Sequence, residues 1–130
     1  MRGVVCVLLT AVLTAPGPAW AADDPAASRS HCFSSDQFQG WRAQNARTIY
    51  IRANANRYYR LDLARECPDI VRTQAQLTLD VPGGGLICSA ADFTLKASRG
   101  FPDVLGPCFV KAMTELSAAE VADLPPKLKP

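Results

Sequence analysis

The chain has 130 residues, a formal net charge of +2 and a hydrophobic fraction of 48%, which is the size and composition of one small folded domain. It is too short for a TIM barrel or a doubly wound nucleotide-binding enzyme. Its basic and acidic residues are also too nearly balanced for a protein that grips nucleic acid.

The first 21 residues have the three-part pattern of a secretory signal peptide. Arg2 supplies the basic start, residues 4–13 are apolar, and a small-x-small cleavage motif ends at Ala21. The apolar run is about half the ~20 residues that a membrane-spanning helix needs. We therefore predict cleavage between Ala21 and Ala22, a periplasmic or secreted protein, and no transmembrane segment after the signal is removed.

Both ends of the remaining chain predict loose segments around one domain. Residues 22–30 are small and polar and predict a flexible leader, whereas residues 125–130 are rich in proline and predict an extended tail. The folded domain is expected over residues 31–124.

Period-two alternation of apolar residues predicts five short strands in this domain. The first two form a hairpin across the polar residues 53–56, with Ile49, Ile51 and Leu61 on the same face. The predicted strands are Thr48–Arg52, Arg57–Leu63, Gln74–Val81, Asp92–Ala97 and Cys108–Met113.

Two capping boxes predict short helices at the ends of the domain. The box at residues 34–37 begins a first helix that carries Phe38 and Trp41 on one face, and the box at residues 117–120 begins the last helix. The expected fold class is therefore α+β, a small antiparallel sheet of about five strands with short N- and C-terminal helices and two disulfides.

Cysteine usage indicates export to an oxidising compartment. Cys6 lies in the predicted signal, and removing it leaves an even set of four, which predicts two disulfides. Their wide spacing lacks the close pairs of a zinc site or a thiol oxidoreductase. The four are Cys32, Cys67, Cys88 and Cys108.

Four cysteines allow three pairings. If the five strands follow an up-and-down order, the end of the sheet at which each cysteine lies favours some pairings over others. In that order Cys67 and Cys108 lie at the same end of the sheet, whereas Cys88 and Cys108 lie about 20 Å apart, which disfavours a bond between them. The favoured pairing is Cys67–Cys108 with Cys32–Cys88. The alternative, Cys67–Cys88 with Cys32–Cys108, remains open.

Residues that could catalyse a reaction or hold a cofactor form no known pattern. His31 is the single histidine and lies at the edge of the leader, where it would be a poor catalytic base. Asp62, Asp80 and Asp92 fall on outward strand faces, and no helix N-terminus follows Gly83–Gly85 to complete a phosphate site. We predict no enzyme activity, no metal site and no cofactor.

The hairpin offers a candidate binding face of alternating tyrosine and arginine. Arginine beside an aromatic ring can stack and make paired hydrogen bonds to anions, so an envelope protein or an anionic glycan is the expected partner. The alternative is a solvated strand face stabilised by cross-strand pairs. The face consists of Tyr50, Arg52, Tyr58 and Arg60.

Several short motifs, ordered around the four cysteines, resemble the exported bacterial proteins grouped as domain of unknown function 6491. The resemblance covers about residues 31–116 and implies a small exported protein with no assigned activity and no functional residues to transfer. The motifs are Cys32-Phe33, Phe38 and Trp41, residues 47–51, residues 58–63, residues 67–70, Ile87-Cys88 and residues 108–110.

The hypothesis that follows is a non-catalytic binding or envelope-support module, held together by two disulfides. The alternative is a small periplasmic enzyme or enzyme inhibitor. That alternative requires a concave pocket with converging polar groups, and no spacing in the sequence predicts one.

Overall fold

A computed structural model describes residues 31–98 and 104–130 of the chain. The predicted signal peptide, its cleavage site and the leader at residues 22–30 lie outside these residues. Among the described residues there are nine strands and one α-helix, α1 at Ala118–Asp123. The strands are β1 Phe33–Ser34, β2 Phe38–Asn45, β3 Thr48–Ala53, β4 Arg57–Leu63, β5 Gln76–Asp80, β6 Leu86–Ile87, β7 Thr94–Ser98, β8 Val104–Cys108 and β9 Val110–Glu115.

The strands form three antiparallel sheets, so the prediction of one five-stranded sheet with terminal helices is wrong. The largest sheet has the order β2-β3-β4-β9, a second has the order β5-β7-β8, and β1 pairs with β6. The fold is mostly β. A single five-stranded sheet does not form because β4 pairs with β9, far along the chain, and not with the next strand, β5.

The predicted first helix is instead a single 3₁₀ turn followed by strand β2. Its capping box is present, since the Ser34 N–H donates to Gln37 Oε1 at 3.0 Å, but the turn spans only Ser35–Gln37. A β-bulge between Phe38 and Gly40 then places both Phe38 and Trp41 opposite inward-facing residues of β3. The bulge accounts for a three-residue spacing that had suggested a helix.

The predicted hairpin forms, with Ile51 opposite Tyr59 and Ile49 opposite Leu61. These inward side chains are almost completely buried, as the alternation predicted. The core continues into the other two sheets. Its fully buried members there are Phe33, Ile87, Leu95 and Ala97.

The last predicted strand, Cys108–Met113, is divided between two sheets. β8 ends at Cys108 and pairs with β7, whereas β9 begins at Val110 and pairs with β4. Phe109 lies at the junction and is 59% exposed. A single residue, Phe109, therefore connects the three-stranded sheet to the four-stranded sheet.

The C-terminal helix begins as predicted, but the tail after it is not extended. Ser117 Oγ accepts from the Glu120 N–H at 3.2 Å and caps α1. Pro126–Leu128 then form a 3₁₀ turn, Leu128 is buried, and Lys129 Nζ donates to the Ala122 carbonyl at 3.2 Å. The tail is thus folded back against the domain.

The structure contains the disulfides Cys32–Cys88 and Cys67–Cys108, with Cα–Cα distances of 4.3 and 5.9 Å. This is the pairing that the strand argument favoured, although the up-and-down order behind it does not form. Leu63 pairs with Val110, which brings the chain after β4 beside Cys108. Phe33 pairs with Ile87, which brings the flanking residues Cys32 and Cys88 together.

Candidate binding groove

The four residues of the predicted binding face lie together on the outer face of the large sheet. Tyr50 is directly opposite Arg60, and Arg52 is directly opposite Tyr58. Direct cross-strand neighbours on one face are close enough for their side chains to interact. The structure therefore brings the residues together as two tyrosine–arginine pairs.

The arginines of this face are less available to an anion than the sequence suggested. Arg60 Nε donates to Asp62 Oδ1 at 3.0 Å, and Arg60 Nη2 forms an ion pair with the same oxygen at 2.9 Å. Arg52 is only partly exposed, and its Nε is buried without a hydrogen-bond partner among the described residues. Tyr50 is 7% exposed and its hydroxyl donates to Gln44 Oε1 at 3.2 Å.

Part of this face forms one wall of a groove of about 520 Å³, and the other wall consists of α1 with Leu116 before it and Leu124 after it. We call it the sheet–helix groove. The sheet contributes three polar side chains and one aromatic ring, and the helical side contributes two carboxylates and two leucines. The lining residues are Tyr50, Arg60, Asp62, Thr114, Leu116, Glu120, Asp123 and Leu124.

The sheet–helix groove carries a net negative charge. Among the described residues that line it, Arg60 is the only basic one, against the carboxylates of Asp62, Glu120 and Asp123. The N–H of Ser117 donates to Glu120 Oε2 at 2.7 Å. This bond and the Ser117 hydroxyl hold the pKa of the Glu120 carboxyl below its ordinary value, so the group is ionised at neutral pH.

The helical half of the groove was not predicted from the sequence. Thr114 was not singled out, and Glu120 was identified only as part of a capping box. This half depends on the pairing of Arg60 with Thr114, which brings β9 and then α1 beside the hairpin. Alternation within single strands carries no information about this pairing.

A second groove, of about 470 Å³, lies beside the edge strand β2. Trp41 and Ala43 contribute one side, and Ile70 and Val71 of the Pro68–Val71 turn contribute the other. Val71 is 53% exposed. We call this the edge groove.

His31, set aside as a leader residue, belongs to a polar cluster that attaches the start of the domain to the sheet. Its Nδ1 contacts Glu115 Oε2, and its carbonyl accepts from the Tyr59 hydroxyl at 2.9 Å. Arg57 donates to the Cys32 carbonyl at 3.1 Å and lies 5.6 Å from the Tyr59 ring centre.

The cluster shifts its own titrating groups in ways that stabilise it. The hydrogen bonds that Arg57 donates to Glu115 raise the pKa of Arg57. Burial raises the pKa of the Tyr59 hydroxyl, which stays protonated and remains a donor. Burial alone would raise the pKa of Glu115, but hydrogen bonds from Arg57 and His31 outweigh it and lower that pKa. We assign the cluster a structural role.

The other acidic residues weighed from the sequence have local structural roles. Asp80 forms an ion pair with Lys96 on the neighbouring strand. Asp92 accepts from the N–H groups of Cys88 at 2.9 Å and Ser89 at 2.7 Å, and these bonds lower the pKa of its carboxyl.

Gly83 and Gly84 have φ values of 78° and 60° in a turn, a conformation that glycine adopts without steric cost.

The described residues contain neither a metal-binding cluster nor a membrane-spanning helix. Residues 31–98 and 104–130 contain no cluster of three or more His, Cys, Asp or Glu side chains placed to hold a metal ion. No helix in those same ranges is long and apolar enough to cross a membrane.

Comparison with known proteins gives a family but no activity. Residues 1–129 match DUF6491, described as a family of unknown function. The chain belongs to this family. The resemblance inferred from the cysteine order and strand motifs is thereby confirmed, and it extends over nearly the whole DUF6491 chain. No curated protein and no solved structure matches it.

Proposed function

We propose that this DUF6491 protein is an exported, non-catalytic binding module whose ligand occupies the sheet–helix groove. The observation that carries the proposal is the groove itself, since about 520 Å³ falls within the range of ligand-binding pockets. It also contains two of the four residues that the sequence singled out as a binding face, Tyr50 and Arg60.

Rigid supports on both sides favour this groove over the other surfaces. Tyr50 and Arg60 lie on the two central strands of the large sheet, β3 and β4. The opposite wall is fixed by the Ser117–Glu120 capping box and by Lys129, which donates to the Ala122 carbonyl. Binding residues on rigid elements lose little conformational entropy when a ligand arrives.

A binding role accounts for the groove better than a catalytic one. A general acid at neutral pH needs a raised carboxyl pKa. The shifted carboxyl in the groove, Glu120, is shifted downward, and the cause is its own helix cap. Export is supported by the signal-like residues 1–21 and by two disulfides, which form in oxidising compartments.

The experiment fills the groove and leaves the core intact. Thr114 is exposed on β9 and lines the groove, so Thr114→Trp should block it. Thr78→Trp is the matched control, because Thr78 is exposed on β5 in the three-stranded sheet, outside the groove. Thr114→Gln is a smaller variant for use if tryptophan lowers stability.

Thermal unfolding of the oxidised protein would be measured with basic peptides, sulfated oligosaccharides and zwitterionic lipid head groups. A bound ligand raises the unfolding temperature by mass action. We expect at least one class to stabilise wild type and Thr78→Trp but not Thr114→Trp or Thr114→Gln. A stabilisation that survives in the Thr114 variants, or none with any class, would contradict the proposal.

A further inference from the structure

The charge of the sheet–helix groove selects the class of ligand. Its guanidinium group, on Arg60, is already paired with Asp62 through a hydrogen bond from Nε at 3.0 Å and an ion-pair contact from Nη2 at 2.9 Å. The two carboxylates on the helical side, Glu120 and Asp123, form no ion pair with any residue in 31–98 or 106–130. An arriving anion would therefore meet uncompensated negative charge.

The apolar part of the lining narrows the choice among cations. Leu116 and Leu124 are only partly buried and lie in the groove with the Tyr50 ring. A simple metal ion would gain nothing from these side chains. A lysine side chain would, because its methylene stem packs on apolar surface while its ammonium group reaches a charged partner.

We propose that the sheet–helix groove binds a lysine side chain of a basic partner polypeptide, with the stem against Leu116 and Leu124 and the ammonium group at Glu120 and Asp123. The inference rests on the proposed function and gives it a ligand class. It replaces the anionic glycan expected from the sequence, because that expectation counted the arginines without the carboxylates that β4 and α1 place around them. Complementary charge of this kind accelerates association and excludes partners of the wrong sign.

The probe is an N-acetylated, amidated trilysine peptide, and its affinity for the oxidised protein is measured by titration calorimetry. Asp123→Asn removes one carboxylate from the groove and keeps the size of the side chain. Asp36→Asn is the matched control, since Asp36 is exposed in the Ser35–Gln37 turn, outside the groove. We expect Asp123→Asn to weaken binding about threefold to fivefold and Asp36→Asn to leave it unchanged.

Two further measurements test whether the positive charge of the peptide is what the groove recognises. Acetylating the three lysine amines should abolish binding, and raising the salt concentration should weaken it, because exposed charges are screened. The inference would be overturned if wild type bound acetylated and free trilysine equally well. It would also be overturned if Asp123→Asn bound trilysine as tightly as wild type does. Tighter binding of free spermidine would overturn it as well, because the polypeptide would then contribute nothing.

The experiments distinguish an error in the class of ligand from an error in the location of the binding site. A sulfated tetrasaccharide that binds wild type and is blocked by Thr114→Trp would overturn the cationic ligand and leave the groove as the binding site. If neither trilysine nor any other probe is blocked by Thr114→Trp, the groove itself is contradicted.

Discussion

The Arg57 guanidinium group holds the Glu115 carboxylate with two hydrogen bonds, from Nε at 3.0 Å and from Nη2 at 3.3 Å. The two residues are 58 positions apart and lie on β4 and β9. The same carboxylate also contacts His31. One ion pair therefore joins the start of the domain, the central hairpin and the strand that leads to the groove.

We predict that Glu115→Gln destabilises the domain by about 1–2 kcal/mol at pH 7. This lies between the values typical of an exposed ion pair and of a hydrogen bond to a buried charged group, because the Arg57 and Glu115 side chains remain 24% and 28% exposed. Urea unfolding of both proteins gives the difference. Arg47→Gln is the control, since Arg47 pairs with Glu66 at an exposed site and should change stability little.

The difference between wild type and Glu115→Gln should depend on pH. The pKa of Glu115 is lowered below its ordinary value of 4.5, so its contribution is complete above about pH 4.5. It is lost as the pH falls through the lower folded-state pKa, where wild type becomes protonated and resembles the variant. A difference that stays constant from pH 7 to pH 3 would contradict the assignment.

Non-reducing peptide mapping of the exported protein should recover Cys32–Cys88 and Cys67–Cys108. Replacing either pair with serine should lower the free energy of unfolding by about 2–4 kcal/mol, since each disulfide restricts the unfolded chain. Recovery of Cys67–Cys88, the alternative left open by the sequence, would contradict the strand pairing. Four free thiols would contradict export through an oxidising compartment.

Ser117→Ala should open the helical wall of the groove and leave the sheets intact. Ser117 Oγ accepts from the Glu120 N–H, so the variant loses the cap of α1. We expect faster amide hydrogen exchange at Val121–Leu124 and unchanged exchange in β3 and β4. Ser98→Ala, on β7, is a control. Equal exchange in wild type and Ser117→Ala would show that the box does not stabilise the wall.

N-terminal sequencing of protein recovered from the producing cell's envelope should begin at Ala22. The small-x-small motif ending at Ala21 predicts cleavage at that bond. Replacing Ala21 with a large residue should slow processing and leave a longer product on a denaturing gel. An envelope protein that retains Met1 would contradict the signal-peptide assignment.

The parts of the fold that were predictable depend on local sequence. Alternation identified the β3–β4 hairpin and its buried residues, and the Ser117–Glu120 spacing identified α1, because both patterns reflect neighbours along the chain. β2 was missed because its bulge beside Gly40 interrupts alternation. The division into sheets was missed because Tyr59 pairs with Glu115, a contact that no local pattern encodes.

The candidate site was half predictable for the same reason. Tyr50 and Arg60 are adjacent in a hairpin, so their shared face follows from the alternation. Asp123 reaches the groove only because β9 pairs with β4 and α1 follows β9 directly. The sign of the charge in the groove depends on that second half. The sequence alone therefore suggested an anionic ligand, whereas we propose a cationic one.

The most direct test of the central claim is to map where trilysine binds. Amide chemical shifts of the oxidised, isotope-labelled protein would be followed by NMR as the peptide is added. We predict the largest changes at residues 114–124 and at Tyr50 and Arg60, with little change beside Trp41 and Val71 in the edge groove. Changes concentrated at the edge groove, or none at the sheet–helix groove, would contradict the account.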